Sequence, residues 1–229
     1  MKRFNNFHLS RDFDREAIII VEGKDDIFLI GKLLERMGAS PERFGIAEID
    51  GYPNFQPFLK MLTLGSSFTT GRVKSVAVIL DADENFGGRR KEVCEVFRQF
   101  GWDLSEDSRA TINRSATDQV NIYLFLYPDN RSSGDLESLL LGTLESDPVK
   151  DSAQQHIGGS FAVAQTRGES LKGSITKRVA QAYLAGRAKD LCNGAGMAAA
   201  RAVAFDLDSA ALQPLCRFLR DMHDELAVT

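Results

Sequence analysis

Short apolar runs recur along the first two thirds of the chain and predict the strands of a buried sheet. Residues 17–21 (AIIIV) and 75–83 (SVAVILDAD) are rich in branched aliphatic side chains, and residues 119–129 (QVNIYLFLYPD) add aromatic ones. Residues 44–51 (FGIAEIDG) form a less apolar run, which we expect nearer an edge. Runs that are apolar at consecutive positions are typical of parallel strands buried on both faces. The pattern therefore predicts four such strands.

Segments with helical periodicity separate these runs. After the first run, DDIFLIGKLLERMG repeats apolar residues every three or four positions, with Asp25 or Asp26 placed to cap a helix. Residues 53–68 and 88–102 have the same kind of pattern. Strand and helix alternating at these lengths predict βαβ units, a mostly parallel sheet and right-handed crossovers.

The remaining segments read differently. Residues 103–118 are polar and aperiodic, which predicts an exposed loop, whereas residues 175–191 and 211–226 have the pattern of amphipathic helices. We therefore expect an α/β domain over residues 1–148 and, over residues 149–229, a helical extension packed on its core.

Composition excludes several classes of protein. The formal net charge of −4 argues against a protein that coats nucleic acid by charge alone. No apolar run is long enough to span a bilayer, and no secretory signal is visible, so we expect a cytoplasmic protein. The cysteines, which form no C-x-x-C pair and so support neither a zinc ribbon nor a disulfide framework, are Cys94, Cys192 and Cys216.

Three acidic motifs, each just after an apolar run, carry the candidate chemistry. They contain Glu22 in VEGKDD, Asp81 with Asp83 in LDAD, and Asp135 with Glu137 in GDLE. Ligands of open α/β sheets bind beyond the carboxyl ends of the strands, so these carboxylates are expected to converge. Crowded like charges raise one another's pKa or bind a cation. The motifs therefore predict a site for Mg²⁺ or Mn²⁺, with room for two ions, at which all five residues are candidate ligands.

Each motif alone also has a purely structural explanation. E-G-x-x-D suits a glycine turn followed by a helix cap, and D-x-D is a common way for a chain to leave a sheet. GDLE suits a helix start at which the helix dipole favours acids. Only the joint pattern favours a metal site over these alternatives.

The first two motifs, in this order, resemble those of the Toprim domain shared by topoisomerases, primases and several nucleases. The resemblance implies that Glu22 is the general acid or base and that Asp81 and Asp83 hold Mg²⁺. It also implies that Gly23 permits the turn and that Asp26 is the aspartate of E-G-x-x-D. It covers residues 16 to 144.

The resemblance narrows to compact branches of that superfamily. Small Toprim ribonucleases share the VEGKDD-like motif, and nucleases of the overcoming-lysogenization-defect (OLD) type have a further acid after the fourth strand, which Asp135 and Glu137 match. Those nucleases usually follow an ATPase domain, whose G-x-x-x-x-G-K-[ST] motif this sequence lacks. The order of segments, including PDNRSSGDLESLL and KRVAQAYLAG, looks most like a stand-alone bacterial Toprim-like family of unknown function. The implied fold is α/β and Rossmann-like, a mostly parallel four-stranded sheet with helices on both faces and a C-terminal helical extension.

Five basic residues are candidates for substrate contact. Lys24, Arg89, Arg90 and Lys91 adjoin the first two acidic motifs and are expected to bind phosphate groups of nucleic acid, although a solvated surface explains such charges equally well. Lys177 lies in a predicted helix of the extension. Related nucleases place a lysine from a late helix near the metals, and the resemblance implies a catalytic role for Lys177.

The leading prediction is a Mg²⁺- or Mn²⁺-dependent nuclease that hydrolyses DNA or RNA. Two alternatives remain. The first is a metal-binding module that acts only with, or regulates, a separate partner such as an ATPase. The second is a phosphotransferase acting on nucleotides, for which the sequence offers no nucleotide-specific loop.

Overall fold

The computed structural model of the protein describes residues 14–115, 118–169, 174–187, 194–201 and 204–228. Over these ranges the chain forms a five-stranded sheet flanked by helices, an α/β fold. In this part of the chain no helix has the length and apolarity needed to cross a membrane.

All four apolar runs form strands, as predicted. The strands are β1 (Ala17–Val21), β2 (Phe44–Glu48), β3 (Ser75–Asp81), β4 (Arg109–Asn113) and β5 (Gln119–Tyr127). Their order across the sheet is β2-β1-β3-β5-β4, with β1, β2, β3 and β5 parallel and β4 antiparallel to β5. The less apolar β2 lies at one edge, which confirms its expected position.

The sheet has one strand more than predicted. The expectation of four strands was wrong because β4 lies within residues 103–118, which were expected to form a loop. This strand is at the edge of the sheet and none of its residues is fully buried. A short, half-exposed edge strand needs no continuous apolar run, so its sequence lacks the signal that identified the others.

Helices fill the connections and the C-terminal region. In chain order they are α1 (Lys24–Arg36), α2 (Phe55–Leu64), α3 (Ser66–Thr69), α4 (Phe86–Gln99), α5 (Leu136–Gly142), α6 (Pro148–Thr166), α7 (Ile175–Arg187), α8 (Ala195–Ala200) and α9 (Gln213–Val228). The N-terminal ends of two helices differ from the prediction. The N-cap of α1 is Gly23 rather than Asp25 or Asp26, and α4 begins at Phe86, capped by the Asn85 side chain, which accepts a hydrogen bond from Gly88 N at 2.9 Å.

Alternate side chains of the strands enter two separate cores. In β1, Ile19 packs in a core with residues of α1, α5, α7, α8 and α9, whereas Ile18 and Ile20 pack with residues of α2 and α4. Helices therefore cover both faces of the sheet. Helices that follow residue 148 share a core with the sheet, and the division into residues 1–148 and 149–229 stays a prediction.

Candidate active site

Two of the acidic motifs meet because their strands are neighbours. β1 and β3 are parallel with Val21 opposite Ile79, so Glu22 and Asp81 leave the same end of the sheet side by side. Asp81 N donates to Glu22 Oε2 at 3.4 Å. The convergence that the first two motifs predict is therefore present at its centre.

The third motif reaches the same place through the start of α5. Leu136 N donates to Asp81 Oδ1 at 3.1 Å, which ties the first turn of this helix to the end of β3. Glu22, Asp26, Asp81, Asp135 and Glu137 are called the acidic cluster below.

Asp26 lies at the bottom of the acidic cluster. It is in the first turn of α1, where its Oδ2 accepts a hydrogen bond from Gly23 N at 2.8 Å, and it is only 6% exposed. Its pKa is raised to about 7, mainly by burial and to a smaller extent by the carboxylates of Glu22 and Glu137. The buried Tyr127 hydroxyl faces it, and this carboxylate adds to the burial that raises the pKa of Tyr127. Neither Asp26 Oδ1 nor the Tyr127 hydroxyl has a partner in hydrogen-bonding geometry within the described ranges.

Asp81 is the carboxyl group most strongly affected by its surroundings. Its pKa is raised to about 8, by burial first and then by the nearby Asp26 and Glu22 carboxylates. Lys177 opposes them, since its Nζ lies 3.7 Å from Asp81 Oδ2. Near neutral pH the folded site therefore holds fewer negative charges than its composition suggests.

Asp135 has the structural role that the alternative explanation of GDLE assigns to it. It is the N-cap of α5, and its Oδ1 accepts hydrogen bonds from Ser138 N at 2.8 Å and from Ser138 Oγ at 2.6 Å. Its Oδ2 accepts a hydrogen bond from Ser174 Oγ at 3.1 Å. Glu137 follows in the first turn, where burial raises its pKa and Lys177 opposes the effect.

Lys177 is brought to the acidic cluster by the first turn of α7. Burial by itself lowers the pKa of Lys177, but Glu137 and Asp81, with smaller effects from Asp135 and Glu22, raise it above its usual value. The side chain is half exposed. The extension therefore supplies an ammonium group that stays charged among the acids.

Asp83 lies apart from the acidic cluster, on the exposed rim. Its backbone φ is 52°, and its N donates to Gly134 O at 2.8 Å. Its carboxylate forms an ion pair with Arg89, whose guanidinium lies 4.1 Å from the centre of the Tyr52 ring. Glu92 is 3.5 Å from the same guanidinium. Asp83 is thus engaged by a protein cation.

A cleft of about 890 Å³ opens beside the acidic cluster. One wall is the D-x-D loop with the start of α4, and the other combines α6 with the residues that lead into α7. Its lining includes Asp83, Arg89, Asp135, Phe161, Ser174 and Ile175.

The four residues predicted to bind phosphate lie in different environments in the structure. Arg89 lines the cleft, while Lys24 and Lys91 are exposed. Arg90 is used inside the fold, because its guanidinium donates to Ser108 Oγ and to the carbonyl oxygens of Ser105 and Glu106. Since α4 begins at Phe86, Arg89, Arg90 and Lys91 all lie after the first three positions of the helix.

One acid of the first motif has a function that sequence reasoning missed. Asp25 accepts hydrogen bonds from the backbone N–H groups of Ala195, Gly196 and Met197 at the start of α8, and burial raises its pKa despite them. A Cβ atom at Gly196 would lie 1.9 Å from the backbone oxygen of Asp25, and one at Gly194 would lie 2.3 Å from its Oδ1. The Gly-Ala-Gly sequence at this point is the signal of a close backbone approach.

A divalent cation fits the donor chemistry of the acidic cluster. Carboxylate oxygens are hard ligands, and burial, with a smaller contribution from neighbouring carboxylates, raises the pKa of Asp26, Asp81 and Glu137. Mg²⁺ commonly takes only one or two carboxylates and keeps several waters, and the adjacent Glu22 and Asp81 meet that requirement. Over the described ranges, no group of three or more His, Cys, Asp or Glu side chains is already arranged to hold a metal.

Comparison with known proteins identifies a family and a similar fold. Residues 16–224 match a family described as "Protein of unknown function (DUF3226)". No curated protein matches the chain. The similar solved structures include the C-terminal regions of OLD proteins from two bacteria. The one from Xanthomonas campestris pv. campestris has 14% identity and a TM-score of 0.49, covering 95% of this chain and 98% of that one. The one from Burkholderia pseudomallei has 17% identity and a TM-score of 0.49, covering 92% and 99%. Likeness at this level carries no functional argument by itself.

Proposed function

The chain belongs to the DUF3226 family of proteins of unknown function, and from its site we propose that it is a Toprim-like nuclease. It would hydrolyse phosphodiester bonds of DNA or RNA with Mg²⁺ or Mn²⁺. One observation carries the proposal: the largely buried acidic cluster at the ends of β1 and β3 adjoins a cleft of about 890 Å³.

The charge of the acidic cluster favours a cation. Asp26, Asp81 and Asp135 are each less than 10% exposed, so ionising them together in a site of low polarity is costly. A divalent ion held by Glu22 and Asp81 offsets that cost. When bound, it supplies polarisation of the phosphate, a lower pKa for the attacking water and stabilisation of the leaving oxygen.

Three residues of the chain have roles around such a phosphate. Glu22, at the end of β1, is placed to move a proton through Oε2, as its position in the Toprim-like motif implies. Lys177 stays protonated beside Asp81 and stabilises negative charge that develops on the phosphate oxygens. Arg89, on the cleft wall, orients the phosphate before cleavage.

The motif order and the strand order support the Toprim-like assignment together. The glutamate of E-G-x-x-D directly follows β1, and the first aspartate of D-x-D is the last residue of β3. These two strands are adjacent and parallel. The second aspartate, Asp83, completes the assignment only if it leaves Arg89, because its carboxylate now pairs with that guanidinium.

The decisive experiment combines metal binding with cleavage. The purified protein is incubated with single- and double-stranded DNA and RNA in Mg²⁺, Mn²⁺ or EDTA, and Mn²⁺ binding is measured by isothermal titration calorimetry. We expect cleavage with a divalent ion and none in EDTA. Asp81→Asn should weaken Mn²⁺ binding, whereas Glu145→Gln, which changes an exposed carboxylate outside the cluster, should not. Cleavage that is unchanged in EDTA contradicts the proposal.

A second candidate function is favoured by the ion pairs of the site. Both aspartates of D-x-D face protein cations, Asp81 with Lys177 and Asp83 with Arg89. A partner such as a separate ATPase could separate these pairs and so make the site competent. Mn²⁺ binding by the pure protein without cleavage of any tested nucleic acid would favour this partner-dependent module over a nuclease that acts alone.

A further inference from the structure

Two apolar side chains line the cleft, although metal-dependent hydrolysis of a phosphodiester bond does not need them. Ile175 is 50% exposed, and the Phe161 ring is partly exposed on α6. Exposed apolar surface inside a cleft with charged groups is characteristic of a ligand-binding site. The ligand therefore has an apolar part as well as an anionic one.

Each wall of the cleft contributes one member of an arginine–aromatic pair, Arg89 on one side and Phe161 on the other. On one wall the Arg89 guanidinium lies over the Tyr52 ring at 4.1 Å, and on the other the Arg178 guanidinium lies 5.6 Å from the centre of the Phe161 ring. Aromatic rings and guanidinium planes are the groups on which proteins stack unpaired bases. A base pair inside a duplex has both faces covered by its neighbours and cannot use them.

The burial of the acidic residues also favours a single-stranded substrate. Asp135 lines the cleft although it is only 5% exposed, and Asp81 beside it is 9% exposed. The volume of about 890 Å³ lies within the range of pockets that enclose ligands, which is about 300–1,000 Å³. A flexible single strand can bring a phosphate to such a buried carboxylate, whereas a duplex is stiff and bends only at a cost in free energy.

We propose that the substrate is nucleic acid that is single-stranded at the cleavage point, with a base stacked on Phe161 while its phosphate reaches the acidic cluster. This inference rests on the proposed nuclease function. The cleft lining also contains Glu84 and Glu92, so a phosphate enters only when divalent cations have offset the negative charge. Binding of the single strand therefore depends on the metal as well as on the ring.

The test measures binding rather than cleavage. A fluorescent phosphorothioate oligothymidine, which resists hydrolysis, is titrated in Mn²⁺ either alone or annealed to its complement, and anisotropy is recorded. We expect the single strand to bind at least about tenfold more tightly than the duplex. Phe161→Ala should weaken single-strand binding by about fivefold to a hundredfold, the range of one lost stacked base.

Two further variants separate stacking from folding. Phe161→Leu keeps an apolar side chain but removes the ring, so it should weaken binding in the same direction as Phe161→Ala. Val163→Ala is the matched control, since Val163 is 52% exposed on the same helix and outside the cleft lining, and it should bind like the wild type. Thermal melts verify that each variant is folded.

The outcomes distinguish this inference from the proposed function. Equal binding of duplex and single strand, or unchanged binding by both Phe161 variants, overturns the inference while metal-dependent cleavage leaves the nuclease proposal standing. No binding of either oligonucleotide in Mn²⁺, together with no cleavage of any natural substrate, overturns both.

Discussion

At the scale of single residues, the carboxyl groups of Asp81 and Asp26 link the site to the stability of the fold. Their pKa values are raised from 3.8 to about 8 and to about 7. Between the unfolded and folded pKa values the folded chain binds more protons than the unfolded chain. The contribution of these two groups to the free energy of unfolding therefore decreases as pH rises from about 4 to about 8.

Replacing Asp81 tests directly whether its carboxyl group destabilises the fold as pH rises. Asp81→Asn keeps an oxygen that can accept the hydrogen bond of Leu136 N but removes the titrating group, so the fold should stay intact. In EDTA at pH 8 we expect a higher melting temperature than wild type, by roughly 2–4 °C for each kcal/mol of repulsion relieved, and little difference at pH 4. Glu145→Gln serves as the control with an exposed carboxylate. A large loss of stability at pH 8 would mean that the Asp81 charge holds the fold together.

The nuclease proposal makes a separate prediction about three other acids. Glu22→Gln, Asp83→Asn and Glu137→Gln should each abolish metal-dependent cleavage while the melting temperature changes little, because all three are at least partly exposed and lie at the ends of elements. Cleavage rates and thermal melts of the purified variants are the measurements. Cleavage that survives the loss of both Glu22 and Asp83 would place the activity elsewhere.

Arg89 and Arg90 should differ although they are adjacent. Arg89→Ala frees the Asp83 carboxylate, so Mn²⁺ binding should become several-fold tighter, whereas single-strand binding becomes weaker and less dependent on salt. Arg90→Ala removes the hydrogen bonds to Ser105, Glu106 and Ser108, so it should lower the melting temperature and leave Mn²⁺ affinity unchanged. Calorimetry and salt titrations distinguish the two. Weaker Mn²⁺ binding by Arg89→Ala would contradict the antagonism between Arg89 and metal.

At the scale of elements, the contact of α8 with α1 depends on glycine. Gly196→Ala would place a Cβ atom 1.9 Å from the backbone oxygen of Asp25, so one helix has to move. We expect a loss of about 1–3 kcal/mol or more in the free energy of unfolding. Gly158→Ala on α6 is the matched control, since a Cβ atom there meets nothing within 4 Å, and alanine should stabilise that helix by about 0.5–1 kcal/mol. Denaturant unfolding measures both, and equal stability of the two variants would argue against the close contact.

At the scale of the whole molecule, the C-terminal helices complete the core of the sheet. Leu215, Leu219 and Met222 of α9 are fully buried in the same core as Ile19 of β1. Arg43, which precedes β2, donates to the backbone oxygen of Leu226 at 2.7 Å. The two proposed regions therefore share one hydrophobic interior.

We accordingly expect that a fragment of residues 1–148 does not fold by itself. Without α7, α8 and α9 one face of the sheet is exposed to water, and the acidic cluster loses Lys177. Circular dichroism melts of the fragment and of the full chain make the comparison, with a full-length Glu145→Gln sample as the handling control. A cooperative melt of the fragment near that of the full chain would show instead that residues 1–148 are an independent domain.

Much of the fold was readable from the sequence because its signals are local. Consecutive apolar residues identify β1, β3 and β5 as buried on both faces, and parallel neighbours have to end at the same edge of the sheet. The adjacency of Glu22 and Asp81 follows from that rule once β1 and β3 are taken as neighbours. The structure confirms that adjacency, whereas the chemistry of these residues stays a prediction.

The tertiary structure alone decided how the polar groups are shared. Asp83 pairs with Arg89, and Arg90 donates hydrogen bonds to the backbone oxygens of Ser105 and Glu106. Asp25 receives the start of α8, which is about 170 positions away in the chain. The reason is physical: a charged side chain pairs with whichever group the packed chain brings within a few ångströms, and that choice leaves no periodic trace in the sequence. Burial patterns are local and can therefore be read from the sequence, whereas the partner of a polar side chain depends on the tertiary structure.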